Sequence, residues 1–391
     1  MSGESELREQ LQALVSERPE VPSPAPMVMG QVRRSRRRRR SVGVLAIAAA
    51  VAGGVLVGVD RPAAQQGPAA PGASRLCRVE LPAGWVHALQ PGVYRVTQGQ
   101  VLAASPDGQV IFLRDGERIL QLVGGRETVV LSLPPGHEWR VDGSTEGAWF
   151  AFGLRTSSEP DYTRFFLWNT ATAKLRQIPL STSGKPARVL TSWTLGASYL
   201  AWETAVSPVP GGMEEQQRQV MRLSDGAVRS LPQLPLFYAG ATTYSVTDGR
   251  ITAADAWTQQ PAAVPKALAA AFHMNGTISY RAVDGTFGWG EGNSSATGGP
   301  ATQNVWDSAS ATLTEVRASP GDFVRGVDPL GDGYALASFA VKGHQEAAQT
   351  WLIDLRSHGY APLTDQQAGS LSSPDRVIPL TQLSRLPGCG S

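Results

Sequence analysis

Ser105-Pro-Asp-Gly108-Gln-Val-Ile-Phe112 is a tight turn that opens a strand, and its pattern returns along the chain. The glycine suits a turn position with positive φ, which only glycine occupies without strain. From Gly108 to Arg376 the copies cover 268 residues in six intervals of 27 to 57, a mean of about 45. The six further copies, of which the last lacks the glycine, are Ser144–Phe152, Thr194–Trp202, Val246–Ala253, Met274–Tyr280, Gly331–Ala337 and Ser373–Ile378.

A second pattern follows most of these turns, namely a strand, a polar turn and another strand ending in Leu and often Pro. Its clearest examples are Phe166–Pro179, Val220–Pro232, Val305–Val316 and Trp351–Leu363. The two patterns together make a four-stranded unit, which is typical of a propeller blade. In this unit the repeated turn joins the first strand to the second, and the polar turn of the second pattern joins the third strand to the fourth. We therefore predict an all-β domain over residues 77–391, a β-propeller with seven blades favoured and six as the alternative, and a β-sandwich as the competing fold.

The seventh blade depends on the two ends of this domain. We expect the terminal strand Ser373–Leu380 to pair with strands from Val86–Val96, because closing the ring removes exposed sheet edges. The chain resembles bacterial WD-repeat and TolB-type propellers, whose Ser-Pro-Asp-Gly turn it carries intact once, at 105–108. This resemblance spans roughly residues 80–385 and implies the same fold.

The N-terminal region predicts a membrane anchor. Seven arginines lie within Arg33–Arg40, and nineteen uncharged residues, Ser41–Val59, follow at once. As a helix they would be about 28 Å long, close to the ~30 Å hydrocarbon core, and basic flanks stay on the cytoplasmic side. We therefore expect residues 1–40 to be cytoplasmic, 41–59 to cross the bilayer, 60–76 to form a Pro/Ala/Gly tether, and 77–391 to be extracytoplasmic. The alternatives are a cleaved signal peptide and, for the arginines, a nucleic-acid patch.

Residues 4–17 predict a short cytoplasmic amphipathic helix. Leu7, Leu11, Leu14 and Val15 fall on one helical face, and Pro19 ends the helix. Because so short a helix is marginal alone, this face requires a partner, such as a cytoplasmic regulator, a second copy or the membrane surface; a frayed tail is the alternative. A Pro-rich spacer then leads to the arginines.

This layout resembles membrane-bound anti-sigma factors and related actinobacterial membrane proteins, a group that the scarcity of lysine, four of 35 basic residues, also fits. The His-x-x-x-Cys-x-x-Cys zinc motif of one such family is absent, since residues 1–60 contain neither His nor Cys. A sigma-factor partner is therefore an alternative rather than the first prediction.

Charge and cysteine usage limit what the outer part can bind. Residues 1–41 carry a net charge of +4 and the remainder −2, so the outer part has no basic bias towards nucleic acid. Cys77 and Cys389 are the two cysteines of the chain, and in an oxidising compartment such a pair is more often a disulfide than two free thiols. Lipid attachment is the competing role for Cys77. Without a cysteine cluster we expect no structural zinc site.

The sequence contains no catalytic motif that we recognise, so we expect a non-catalytic protein without cofactor or metal, and a propeller hydrolase of glycans is the lowest-ranked alternative. The long connections Thr156–Thr163, Ala205–Gln219, Gly290–Gln303 and Lys342–Gln349 should all join second to third strands and share one face. We predict there an acidic and aromatic rim that binds a peptide, a glycan or another envelope protein; ordinary solvated loop residues are the alternative. The predicted rim residues are Glu159, Asp161, Tyr162, Glu214, Glu215, Trp289, Glu291, His344 and Glu346.

Overall fold

The computed structural model describes residues 76–389 except 97–98, 160, 182–187, 207–215, 273–277, 284, 292–301, 320–321, 342–343 and 374. The predicted cytoplasmic helix 4–17, the arginine run, the span 41–59 and nearly all of the tether 60–76 lie outside the described residues. Among the helices that the structure describes, none combines the length and apolar character needed to cross a bilayer.

The described residues form six antiparallel sheets, numbered here in chain order, and three short α-helices. Sheet 1 contains β2 (Gln100–Ala104), β3 (Val110–Asp115), β4 (Arg118–Val123) and β5 (Arg126–Ser132). Sheet 2 contains β6 (Trp139–Glu146), β7 (Trp149–Thr156), β8 (Arg164–Asn169) and β9 (Lys174–Ile178). Sheet 3 contains β10 (Arg188–Leu195), β11 (Tyr199–Val206), β12 (Gln216–Arg222) and β13 (Val228–Ser230).

Sheet 4 is the shortest, with β14 (Phe237–Ala239), β15 (Thr242–Thr247), β16 (Arg250–Asp255) and β17 (Pro261–Ala262). Sheet 5 contains β18 (Ile278–Val283), β19 (Thr286–Glu291), β20 (Thr302–Asp307) and β21 (Thr312–Arg317). Sheet 6 contains β22 (Asp322–Gly331), β23 (Tyr334–Val341), β24 (His344–Asp354) and β25 (Gly359–Leu363), and β1 (Cys77–Arg78) adds to it in parallel beside β25. The helices are α1 (Ala83–Ala88), α2 (Lys266–Ala271), α3 (Asp365–Ser372) and the 3₁₀ turn Leu380–Gln382.

Three glycines of the repeated turns have the positive φ that the sequence predicts. Gly108, Gly147 and Gly333 have φ of +68°, +54° and +74° and connect the first strand of a sheet to its second. Gly249 also has positive φ, +74°, but it connects the second strand of sheet 4 to its third, so its assignment as a first turn was wrong. Gly196 lacks a positive φ; a Cβ there would lie 2.7 Å from the Tyr238 ring, so close packing is what requires glycine.

The middle strands are buried on both faces, and this packs each sheet against the next. In β7, Phe150 and Phe152 belong to the cluster shared with sheet 1, while Ala151 belongs to the cluster shared with sheet 3. Val305 and Val324 join sheets 5 and 6 in another cluster. Ring pairs across the other boundaries, with centroid distances, are Phe112–Phe150 at 3.9 Å, Phe165–Trp202 at 6.5 Å, Tyr199–Tyr238 at 6.0 Å and Phe237–Phe287 at 4.7 Å.

A non-sheet layer connects sheet 6 back to sheet 1. We call α1, residues 93–96, α3 and residues 375–389 the closing layer. Trp85 of α1 is fully buried, its ring centroid is 5.1 Å from that of Tyr334 in sheet 6, and its indole N–H donates to Ser384 O. On the other side, the Thr381 N–H donates to Pro106 O in the first turn of sheet 1. The described residues therefore form a closed, β-propeller-like ring.

The seventh unit differs from its prediction. Chain segments 94–96 and 375–377 do pair antiparallel, with an isolated bridge between Arg95 and Arg376. However, no seventh four-stranded sheet forms among the described residues, and residues 83–88 are helical. The buried Trp85, Ala88 and Leu89 explain the helix, because they follow the i, i+3, i+4 spacing of a helical face.

The predicted disulfide is confirmed. Cys77 and Cys389 are bonded, with their Cα atoms 5.4 Å apart and a sequence separation of 312. Cys77 pairs with Gly359 in β25, and its N–H donates to His358 O. The bond therefore ties both ends of the domain to the outer edge of sheet 6.

Candidate functional site

The two ends of the ring differ in how the strands are connected. The turns that join the first strand of a sheet to its second, and the third to its fourth, are short. Turns of neighbouring sheets contact each other, as where Arg356 Nε of sheet 6 lies 3.2 Å from Asp307 Oδ2 of sheet 5. We call this the turn end. The opposite loop end carries the connections from second to third strands, which are residues 157–163, 207–215 and 292–301 in sheets 2, 3 and 5. These three connections are where the sequence predicted them.

The fourth predicted loop, Lys342–Gln349, was wrong. β23 ends at Val341 and β24 begins at His344, with Val341 and His344 paired across the hairpin. His344 and Glu346 are thus strand residues, because a hairpin needs only about two connecting residues and a polar composition does not require a longer loop. Glu291 is the last residue of β19, and Glu214 and Glu215 lie outside the described residues.

The two predicted aromatic rim residues are core residues. Trp289 is 3% exposed, with its ring centroid 5.1 Å from that of Phe287 and 5.5 Å from that of Phe272. Tyr162 is 4% exposed and packs between sheets 2 and 3, where its hydroxyl donates to Asp142. Large rings gain more free energy by filling the space between sheets than by facing water, so neither ring is presented to a ligand.

Glu159 and Asp161 remain at the loop end, within a connection that is held in a defined shape. The Glu159 carboxylate accepts the Thr156 N–H at 2.9 Å, and Arg155 Nη1 donates to Glu159 O at 2.6 Å. The Leu190 N–H donates to Tyr162 O, so the connection also pairs with the first strand of sheet 3. Asp161 is half-buried. The described loop is therefore a preorganised surface, which reduces the entropy cost of binding.

Sequence reasoning missed the arginines of this surface. Arg140 and Arg155 are directly paired between β6 and β7, and the Arg155 guanidinium lies 5.6 Å from the Tyr162 ring centroid. Arg155 Nε is buried without a hydrogen-bond partner. The sequence signal that could have indicated them is the alternation of polar residues, Arg140 and Asp142, with apolar residues along β6. The described part of the rim is therefore of mixed charge rather than acidic.

The densest group of charges lies at the turn end and stabilises the fold. Arg356 contacts Asp307 and Asp332, and Arg385 of the closing layer contacts Asp332 at 2.9 Å and Asp354 at 3.4 Å. Asp307 and Asp354 have no exposed surface, and buried carboxylates require such partners. Burial raises the pKa of the adjacent Tyr334 to about 12, so its hydroxyl stays neutral. Because each carboxylate contacts a guanidinium, we assign this cluster to ring closure.

Within the described residues, no group of three or more His, Cys, Asp or Glu side chains is placed to hold a metal ion. No family model and no curated protein matches the sequence.

Two solved structures match part of the chain at low similarity. An oligogalacturonate lyase from Vibrio parahaemolyticus matches with a TM-score of 0.39 and 8% identity, over 70% of this chain and 80% of that one. A protein described as a dipeptidyl aminopeptidase IV from Bacteroides ovatus matches with a TM-score of 0.38 and 10% identity, over 68% of this chain. The match spans 46% of the length of that second protein. Likeness at this level transfers neither an activity nor a substrate.

Proposed function

We propose that this chain is a membrane-anchored, extracytoplasmic β-propeller that acts as a non-catalytic binding or sensing module for an envelope protein, peptide or glycan. The observation that carries the proposal is the difference between the two ends of the ring. The turn end consists of short turns, and the closing layer contacts it. The loop end instead carries long connections, in sheets 2, 3 and 5. Loops on a rigid scaffold are where binding residues are usually found.

The finer architecture belongs to the same proposal. In it, the closing layer occupies the position of the seventh blade, in the manner of WD-repeat and TolB-type propellers. The N-terminal sequence supplies the anchor, since the arginines before Ser41 and the nineteen uncharged residues after Arg40 favour a span with its N-terminus in the cytoplasm. The disulfide agrees with export, because such bonds persist in oxidising compartments.

The proposal is tested by the capture of envelope proteins and of arrayed peptides and glycans by the full-length chain in membranes. One variant combines Glu159→Ala with Asp161→Ala, and a second combines Glu214→Ala with Glu215→Ala. Lys174→Ala, an exposed change at the turn end, is the matched control. We expect both loop-end variants to lose ligands that the control retains. Equal capture by all four proteins would remove the loop end as the binding surface.

A second candidate function concerns the cytoplasmic segment, whose apolar stripe Leu7, Leu11, Leu14 and Val15 requires a partner. In this anti-sigma-like alternative, the helix holds a cytoplasmic regulator while the propeller detects a ligand outside. A pull-down with residues 1–30 separates the two functions. A specific partner that is lost in a Leu11→Glu variant supports the signalling function. The absence of any partner supports the binding module without a signalling role.

A further inference from the structure

The turn end contains a cavity of about 240 Å³ on the inner side of the ring. First strands of four sheets contribute to its wall, through Val101 in β2, Thr145 in β6, Val283 in β18 and Leu330 in β22. The closing layer supplies the rest, including Leu371 of α3. This volume is far above the ~10–15 Å³ that one water requires, and slightly below the ~300–1,000 Å³ of drug-sized sites. The cavity therefore suits a small organic molecule.

Most of the wall is aliphatic, and its neutral polar groups are already satisfied by the protein. The Thr145 hydroxyl donates to Ala104 O at 2.9 Å, and the Ser370 hydroxyl lies 3.0 Å from Leu89 O. The Ser105 hydroxyl contacts Asp107 Oδ1 and also receives the Val110 N–H at 3.0 Å. These groups offer little to a polar ligand, so the greater part of the wall selects apolar surface.

Arg376 is the exception, and it stands where the other copies of the repeated turn have glycine. Its Nε donates to Val93 O at 3.0 Å, and its Nη2 donates to Ala88 O at 2.7 Å and Gln90 O at 2.8 Å, at the C-terminal end of α1. Its Nη1 makes no hydrogen bond to a described residue. The nearest acidic group in sequence, Asp375, instead bonds Arg95 at 2.9 Å.

Arg376 is thus held in place by carbonyl oxygens, and it forms no salt bridge with a described carboxylate. Burial lowers the pKa of Arg376, and the negative charge of the adjacent Asp375 raises it in part. Among the described residues that line the cavity, it is the one charged side chain.

We propose that this cavity binds a small aliphatic carboxylate, with the alkyl chain against the aliphatic wall and the carboxylate on Nη1 of Arg376. A charge-assisted hydrogen bond to a fixed guanidinium is stronger than a neutral one, and the fixed position costs no side-chain entropy on binding. The site lies at the opposite end of the ring from the proposed binding surface and does not depend on it.

The test uses the full-length chain in lipid nanodiscs, with hexanoate as the probe and empty nanodiscs as the blank. Saturation-transfer NMR and calorimetry compare hexanoate with hexanol, which lacks the charge, and with acetate, which lacks the chain. We expect hexanoate to bind at least about tenfold more tightly than hexanol, the factor that one hydrogen bond to a charged group supplies. It should also bind at least about tenfold more tightly than acetate, which makes the same hydrogen bond but lacks the methylene groups that the aliphatic wall would bury. No binding above the blank, or equal binding of hexanol, would overturn the proposal.

Two cavity-filling variants keep the test independent of Arg376, which also stabilises α1. Val283→Phe in sheet 5 and Leu371→Phe in the closing layer should each weaken hexanoate binding by about tenfold or more, because they occupy its space. Val129→Phe, at a position 50% exposed on β5, adds a ring outside the cavity and should bind as the parent does. Unchanged binding in both filled variants would place the probe elsewhere and overturn the assignment.

Discussion

Removing the disulfide, by Cys77→Ser with Cys389→Ser, should lower the free energy of unfolding by about 3–5 kcal/mol. The bond closes a loop with a sequence separation of 312. The chain-entropy relation converts that loop into about 5.7 kcal/mol at 25 °C, an upper value because measured bridges seldom exceed ~5 kcal/mol. We expect the ring to stay folded, since the Val79 N–H still donates to Tyr360 O and Arg385 still contacts Asp332.

Urea unfolding of the full-length chain, followed by tryptophan fluorescence, measures this difference. The parent protein treated with a reductant is the matched control and should unfold at the same urea concentration as the double variant. Hydrogen exchange should rise first at residues 77–79 and 385–389. The reasoning is refuted if oxidised parent, reduced parent and double variant all unfold at one midpoint, because the bond would then contribute nothing to closure.

Three further predictions concern single positions. Gly153→Ala places a Cβ 2.8 Å from the Tyr162 ring and should cost about 1–3 kcal/mol, whereas Gly326→Ala, with no atom within 4 Å of its Cβ, should change the urea midpoint little. Gly369→Ala, inside α3 and with free space around it, should stabilise by about 0.5–1 kcal/mol and raise the melting temperature; a lower temperature would contradict the helix. A neighbouring serine hydroxyl lowers the pKa of Asp107 below 3.8, so its contribution to stability is complete above pH 3.8 and lost as the pH falls through the folded-state value. The urea midpoint of Asp107→Asn should therefore depend less on pH between about pH 4 and 2, and an unchanged slope would count against the shift.

The repeat was readable from sequence because its turns impose a backbone requirement. Gly108, Gly147 and Gly333 need positive φ, and each of these turns is followed by a strand rich in apolar residues. The same requirement misled at Gly249, since a turn between second and third strands needs positive φ as well. Turn chemistry therefore predicts where a strand begins, but not which strand of a sheet it is.

The closing layer and the rim were harder to predict for a different reason. The two buried residues of α1, Trp85 and Ala88, and the buried Leu89 that follows the helix span little more than one helical turn, too few to distinguish a helix from a strand by periodicity. At the rim, Trp289 and Tyr162 are adjacent in sequence to loops, yet their burial is decided by neighbouring sheets that are distant in the chain. The disulfide was predictable because only one pairing of two cysteines exists.

The most direct test of the whole account is the sidedness of the chain in intact cells. Epitope tags at both termini, with protease added outside the membrane after the wall has been opened, report which parts are reachable. The account predicts that the C-terminal tag and the sheets are attacked before lysis while the N-terminal tag survives. Survival of the C-terminal tag until the cells are lysed would contradict it.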